Sequence, residues 1–343
     1  MQLLPKSNAT MEGTNIQVRF FQHLKAQLPP HIAIVDEVAD LLGISNDSAY
    51  RRIRGEKPID LEETYKLCSH FKVSMDQLLH LQSDAFIFNG NLASGSDSFY
   101  EIWLNKLLRD LTLMHTFEQK HLYYLTKDIP FIAFFQVPEL ASFKSFFWMK
   151  SILHYEGYRG KKFALKNSSN EFEGIYKKIV ALYNQIPATE IWNTESVNTT
   201  IRQIEFYRDS NMFESKDDAI TLYEKLEDLL RHFEKQAEIG KKFTVGQTVN
   251  ATDASFQMFN NEVVIGDNTC LADLGKMKIT YLNHSVMNFI TTSDTRFNDY
   301  IYESIMNLIR KSTQISAVGE KDRSRFFNTL RGEILARKNR VLP

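Results

Sequence analysis

The chain has 343 residues, a formal net charge of −1, and 25 Phe and 14 Tyr. That length accommodates two or three domains with a sizeable core. The charge balance excludes a polyelectrolyte, and the aromatic content excludes a chain disordered throughout.

The two cysteines, Cys68 and Cys270, imply no disulfide framework, as expected of a reducing cytoplasm. The opening MQLLPKSNATMEGTN lacks the charged start and apolar run of a signal peptide. The most apolar stretch, Ile129 to Met149, is interrupted by Pro130, Gln136, Pro138, Glu139 and Lys144, too often to span a bilayer. The expectation is a cytoplasmic protein with no membrane partner.

In chain order, residues 1–15 read as a mobile polar arm. Ile16, Phe20 and Leu24 mark a first helix. Val35, Val38, Leu41 and Leu42 repeat at helical spacing, and Gly43 follows where a helix ends in a left-handed turn. Ile44 plugs the turn. Ser45 has the chemistry of an N-cap, with Asp47 near the positive end of the next helix. That helix buries Ala49 and Ile53 and presents Asn46, Ser48, Tyr50, Arg51, Arg52 and Arg54 elsewhere. Two short helices on a glycine turn, the second arginine-rich outside, form a helix-turn-helix. Arg51, Arg52, Arg54 and Lys57 against the single acid Glu56 make a local basic patch in an otherwise near-neutral region. Asp60 caps a fourth helix with apolar face Leu61, Tyr65, Cys68 and Phe71, and Ser74 caps a fifth with Leu78 and Leu79.

The run ADLLGIS from Ala39 to Ser45, Arg54-Gly55, Pro58, Leu61 and the tail KLCSHFKVSMDQLL from Lys66 to Leu79 resemble the five-helix DNA-binding domain of the phage-repressor (Cro/C1, XRE-type) transcription regulators. The resemblance spans residues 16–81, about one fifth of the chain. It implies that the second helix of the pair enters the major groove of double-stranded DNA. Asn46, Asp47, Ser48, Tyr50 and Arg51 would then face base edges, with Ser45 as the cap, and Arg52, Arg54 and Lys57 would hold phosphates. Val35 stands where that family carries a phosphate-binding Gln, and Asn46 where Gln is common. Such a head reads two half-sites as a pair, so a homodimer is expected.

Residues 82–98, with Gly90, Gly95 and several serines, read as a linker. Leu104, Leu107, Leu111 and Met114 then alternate by three and four, as in a core helix or a dimer seam. Pro138 opens another helix, and helical patterns run on to about Lys235, so residues 100–240 read as an all-helical array. Strand-like alternation begins near residue 254: Phe256 and Met258, Val263 and Ile265 across an Asn260-Asn261 turn, then Met277, Ile279 and Tyr281, then Val286, Asn288 and Ile290. Helix returns over Asp299–Ile309 and Arg323–Leu335. The last stretch, Arg310 to Arg340, holds nine lysines and arginines against three acids, either a solvated tail or a phosphate grip.

The predicted fold class is therefore mainly α. A five-helix head is followed, over 99–343, by a large helical effector or oligomerisation domain carrying a small antiparallel sheet near 254–291. This layout resembles Bacteroidetes-type regulators that couple such a head to a long helical domain. No phosphate loop, nucleophile elbow or histidine pair at metal spacing is found, so no enzyme activity, metal or cofactor is predicted. Phe131, Phe134, Phe135, Phe143, Phe146, Phe147 and Trp148 form either a core or an apolar pocket for a small-molecule or peptide effector. The competing reading is a protein-interaction or effector-sensing scaffold whose helix-turn-helix does not read DNA.

Overall fold

A computed structural model describes residues 15–26, 28, 32–71, 73, 75, 86–90, 98–167, 171–263, 266–285 and 287–341. The chain divides into two units, Met1–Ile87 and Phe88–Pro343. All but Asn15 of the expected arm, most of the expected fifth helix and most of the expected linker lie outside the described residues.

The first unit holds α1 (Ile16–Ala26), α2 (Ile34–Leu42), α3 (Asn46–Ile53) and α4 (Leu61–Phe71). Each is too short to be stable alone, so their apolar faces are satisfied against one another. Phe20, Phe21, Leu24, Val35, Val38, Ala39, Ala49 and Leu67 meet in one buried cluster. At the end of α2, Gly43 adopts φ 65° and ψ 40°. Its N–H donates to Asp40 O at 3.3 Å, and the Ile44 N–H donates to Ala39 O at 3.0 Å. This is the paired bonding of a Schellman turn. A Cβ at Gly43 would meet nothing within 4 Å, so the glycine serves backbone conformation alone. Gly55, at φ 75°, is constrained twice, because a Cβ there would lie 2.7 Å from Asn15 Nδ2. On α4 the apolar face differs from expectation: Leu61 and Tyr65 are 88% and 68% exposed, while Leu67 is fully buried. The rotation follows Glu63, whose carboxylate reaches back to Arg52 on α3.

The second unit corrects the mainly-α expectation. It contains an eight-stranded mixed sheet that crosses the whole unit, rather than a small antiparallel sheet near its end. The strands are β1 (Asn89–Gly90), β2 (His121–Thr126), β3 (Ala188–Trp192), β4 (Phe256–Asn260), β5 (Thr269–Asp273), β6 (Lys278–Asn283), β7 (Phe289–Thr292) and β8 (Thr313–Gln314). Their order is β1-β7-β6-β5-β2-β3-β4-β8. β2, β3 and β4 are parallel neighbours and every other pairing is antiparallel. Two strands therefore run through the stretch expected to be all helix. The expected Asn260-Asn261 hairpin is absent among the described residues, since β4 pairs in parallel with β3 and antiparallel with β8.

Helices follow from the parallel strands, which need long crossovers. α5 (Phe99–His115) precedes β2. α6 (Phe131–Phe134), α7 (Pro138–Phe147) and α8 (Glu173–Asn184) link β2 to β3, and α9 (Asn198–Asp209) and α10 (Lys216–Ile239) link β3 to β4. α11 (Thr295–Arg310) and α12 (Glu320–Lys338) flank β8. Residues of α5 to α10 and of α12 share one large core with Leu122, Ala188, Trp192, Phe256 and Met258. On the sheet's other face, Ile191, Phe259 and Leu271 pack under Ile305 of α11. The arrangement is thus a sheet covered by helices on both faces.

Leu104, Leu111 and Met114 lie in this core, so the α5 seam is turned into its own unit. Phe134, Phe135, Phe143, Phe147 and Trp148 are core residues as well. The cations of α12 are held at home: Arg337 reaches Glu205, Lys338 reaches Glu224, and Arg323 donates to the Ile315 and Val318 carbonyls.

Lys144 of α7 is buried. Its Nζ donates to Thr200 Oγ1 at 2.8 Å and Gln203 Oε1 at 2.7 Å. Burial pushes its ammonium down to about 7.

Two outcomes are expected in unfolding experiments. Gly43→Ala loses about 1 kcal/mol from left-handed strain alone, and Gly55→Ala loses more because strain and overlap add. Second, above pH 7 the unfolded chain holds a proton on Lys144 that the folded chain has released. Stability therefore rises with pH from about 7 to 10. The difference between wild type and Lys144→Met should change by up to about 1.4 kcal/mol per pH unit across that window, read from urea titrations at several pH values.

Candidate nucleic-acid interface

Three anchors fix α3. The first is its cap, where Ser45 Oγ accepts the Ser48 N–H at 3.4 Å. The second is Arg52, which is 5% exposed. Its Nε donates to Glu63 Oε2 at 2.9 Å and its Nη2 to Glu63 Oε1 at 2.6 Å, the two-pronged geometry of a guanidinium on a carboxylate. Nη1 donates to Ser48 Oγ at 2.7 Å. The third anchor is Gln17 of α1. Its Nε2 donates to Arg52 O at 2.6 Å and Lys57 O at 2.7 Å, and its Oε1 accepts the Ile59 N–H at 3.0 Å. One side-chain amide thus clamps the end of α3 and the loop beyond it onto the first helix.

What remains faces water. Tyr50, Arg51, Arg54 and Lys57 are exposed, as are Asn46 and Asp47. Arg51 and Arg54 lie 4.0 and 3.8 Å from Glu56, with more than half of each side chain exposed, pairs weak enough to be exchanged. The Arg54 guanidinium stands 5.7 Å from the Tyr50 ring centre. Asn46 Nδ2 donates to Asp36 Oδ1 at 3.0 Å, tying the first turn of α3 to α2.

Of the nine residues named from the sequence, Asn46, Asp47, Tyr50, Arg51, Arg54 and Lys57 share the accessible surface of α3 and its following turn. Ser45 caps, and Ser48 is half-buried under Arg52. Arg52 itself, expected on phosphates, directs its guanidinium into the unit. Gln17 and Glu63 escaped sequence reasoning. Glu63 lies in the first turn of α4, where an acid is accounted for by the helix start alone, and Gln17 lies on the polar side of α1, where periodicity carries no signal.

Two helices on a tight glycine turn, with an anchored second helix and a cationic outer face, define a helix-turn-helix unit. Residues 18–90 match the BetR domain family, a helix-turn-helix-like DNA-binding family. The curated proteins and the solved structures contain no match to the chain. Among the described residues, no helix is long and apolar enough to cross a membrane.

Because the Arg52–Glu63 pair is largely buried, removing either partner leaves the other unmet. Arg52→Ala and Glu63→Ala should each cost about 2–3 kcal/mol in urea unfolding. Arg54→Ala should stay within about 0.5 kcal/mol of wild type.

Proposed function

We propose that the first unit reads double-stranded DNA sequence-specifically and that the chain regulates transcription in the cytoplasm, by binding rather than by catalysis. The reading is of the phage-repressor, XRE type, with two copies pairing to place two heads on half-sites about 34–36 Å apart. The observation that supports it is the division of duties among four arginine-patch residues. Arg52 is consumed in anchoring α3, while Arg51, Arg54 and Lys57 stay exposed on one surface beside Tyr50, the two arginines only loosely paired with Glu56. A helix held only for stability has no use for three outer cations that share the single, exposed carboxylate of Glu56.

In this mechanism α3 lies in the major groove. Asn46, Tyr50 and Arg51 meet base edges, and Arg54 and Lys57 hold the flanking phosphates and set the register. The Gln17 clamp keeps Lys57 at a fixed offset from α3, so a phosphate contact there constrains the depth of insertion.

The test is fluorescence anisotropy of the full chain on fragments from its own upstream region against a scrambled duplex, at two salt concentrations. A preference of about a thousandfold or more is expected. Arg51→Ala should lose about 1–3 kcal/mol on the operator and tolerate substitution at one base pair. Lys57→Ala should weaken all duplexes alike and lower the salt slope by about one. Equal, salt-labile binding to both duplexes by the wild type would sink specific reading.

A further inference from the structure

The second unit encloses a cavity of about 100 Å³ between α5 and the sheet face built by β2, β5, β6 and β7. Trp103, Leu107 and Leu111 of α5 form one wall, and Phe131 and Phe289 close the sides. It opens beside Ile102, which is 51% exposed. An apolar cavity of about 150 Å³ is known to stay dry and to take up benzene, so this one is on the scale of a single ring. Its apolar walls lack contacts on the cavity side until something fills it.

The polar groups at the cavity are few, and they point to the rest of the ligand. Tyr124 of β2 and Tyr281 of β6 both line it, and Tyr124 is only 7% exposed. Among the described residues neither hydroxyl has a hydrogen-bond partner, whereas the neighbouring Tyr183 hydroxyl donates to Glu190 at 3.1 Å. Neither hydroxyl is sealed from solvent, so each stands open on the cavity side to a partner that a ligand brings in. Asn288 and Thr291 also line it, and Lys106 and Asp110, one turn apart on α5, contribute opposite charges. Burial holds the Asp110 carboxyl above its usual range, and its field acts on Tyr281. A second carboxylate brought in by a ligand would lose its water among apolar walls, with the Lys106 charge already balanced by Asp110.

We infer that this cavity binds a neutral, ring-sized apolar molecule bearing one hydroxyl, with the ring between Trp103, Leu107 and Phe289 and the hydroxyl toward Tyr124 and Tyr281. The site is independent of the DNA-reading proposal, because its occupancy is measured without DNA.

Isothermal titration calorimetry on the full chain tests it with three probes: 4-ethylphenol, ethylbenzene and 4-ethylbenzoate. Expected is saturable binding of 4-ethylphenol, about five- to tenfold tighter than ethylbenzene, and no binding of the benzoate. Tyr124→Phe/Tyr281→Phe should bring 4-ethylphenol down to the affinity of ethylbenzene and leave ethylbenzene unchanged. Leu107→Trp, which fills the space, should abolish both while circular dichroism shows a wild-type melting transition. Absence of saturable binding to the wild type, or binding that survives Leu107→Trp, overturns the site. Preference for the benzoate, or an equal loss of both neutral probes in the tyrosine variant, overturns the ligand class.

Discussion

The centre of the second unit is a carboxylate that has to be buried. β3 runs between two parallel neighbours under helices on both faces, and all five of its residues are buried, Glu190 among them. Burial raises its carboxyl above the usual range, while the Lys242 ammonium, the Trp192 indole and the Tyr183 hydroxyl pull it down. Trp192 Nε1–H donates at 2.7 Å and Tyr183 O–H at 3.1 Å. Lys242 in turn donates to Tyr183 O at 2.8 Å. Tyr183 ends α8, on the crossover before β3, and Lys242 follows α10, on the crossover after it. Satisfying one charge therefore pins both crossovers, and with them the parallel order β2, β3, β4. A buried charge stripped of one partner is far costlier than an apolar gap, so the arrangement tolerates no looser packing of α8 and the segment behind α10.

The first unit solves a related problem at smaller scale. A helix of eight residues cannot hold its own shape, and a helix whose outer face is to meet a partner must hold that face to within a fraction of an ångström. Here the anchors come from three different elements: Ser45 from the turn, Glu63 from α4 and Gln17 from α1. All are polar, and none uses the outer face. The apolar contribution of α3 is limited to Ala49, with Ile53 partly buried. Hydrogen bonding carries the positional information that hydrophobic area this small cannot.

These differences explain what could be read from the chain alone. The Gly43-Ile44-Ser45 turn, Pro138 at the start of α7 and the helical pattern running to about Lys235 were legible because each rests on a local rule, a backbone conformation or a period of 3.6. β3 was not legible, because burial on both faces erases the alternation that marks a strand. β2 does alternate in burial, but HLYYLT is apolar and aromatic enough to pass as the continuation of a helix. The sheet's extent followed from those two omissions. Arg52 was misplaced for another reason: composition marks an arginine-rich surface, but only the reach of Glu63 from α4, eleven positions on, selects the arginine that turns inward. Of the aromatic run offered as a core or a pocket, Phe131 alone lines the cavity; most of the lining comes from α5 and from strands brought together only by the sheet order.

That sheet order also determines where an occupied cavity bears on the rest of the chain. Phe289 and Thr291 of the lining belong to β7, and β7 is the strand that receives β1. β1, the first element of the second unit, pairs with the lining strand β7, and α5, the next helix among the described residues, is itself a wall of the cavity. The hold on β1 is small. It comprises two residue pairs, Asn89 with Thr291 and Gly90 with Ile290, and an approach so close that a Cβ on Gly90 would lie 2.9 Å from Ile290 Cγ2. Phe88 adds an edge-on contact with Phe297 of α11 at 5.1 Å. A ligand changes a remote affinity only through a difference in binding free energy between two states of the protein. The two-residue edge pairing of β1 lies against the lining strand β7 and has the least to lose by opening, so such a difference is most cheaply expressed there.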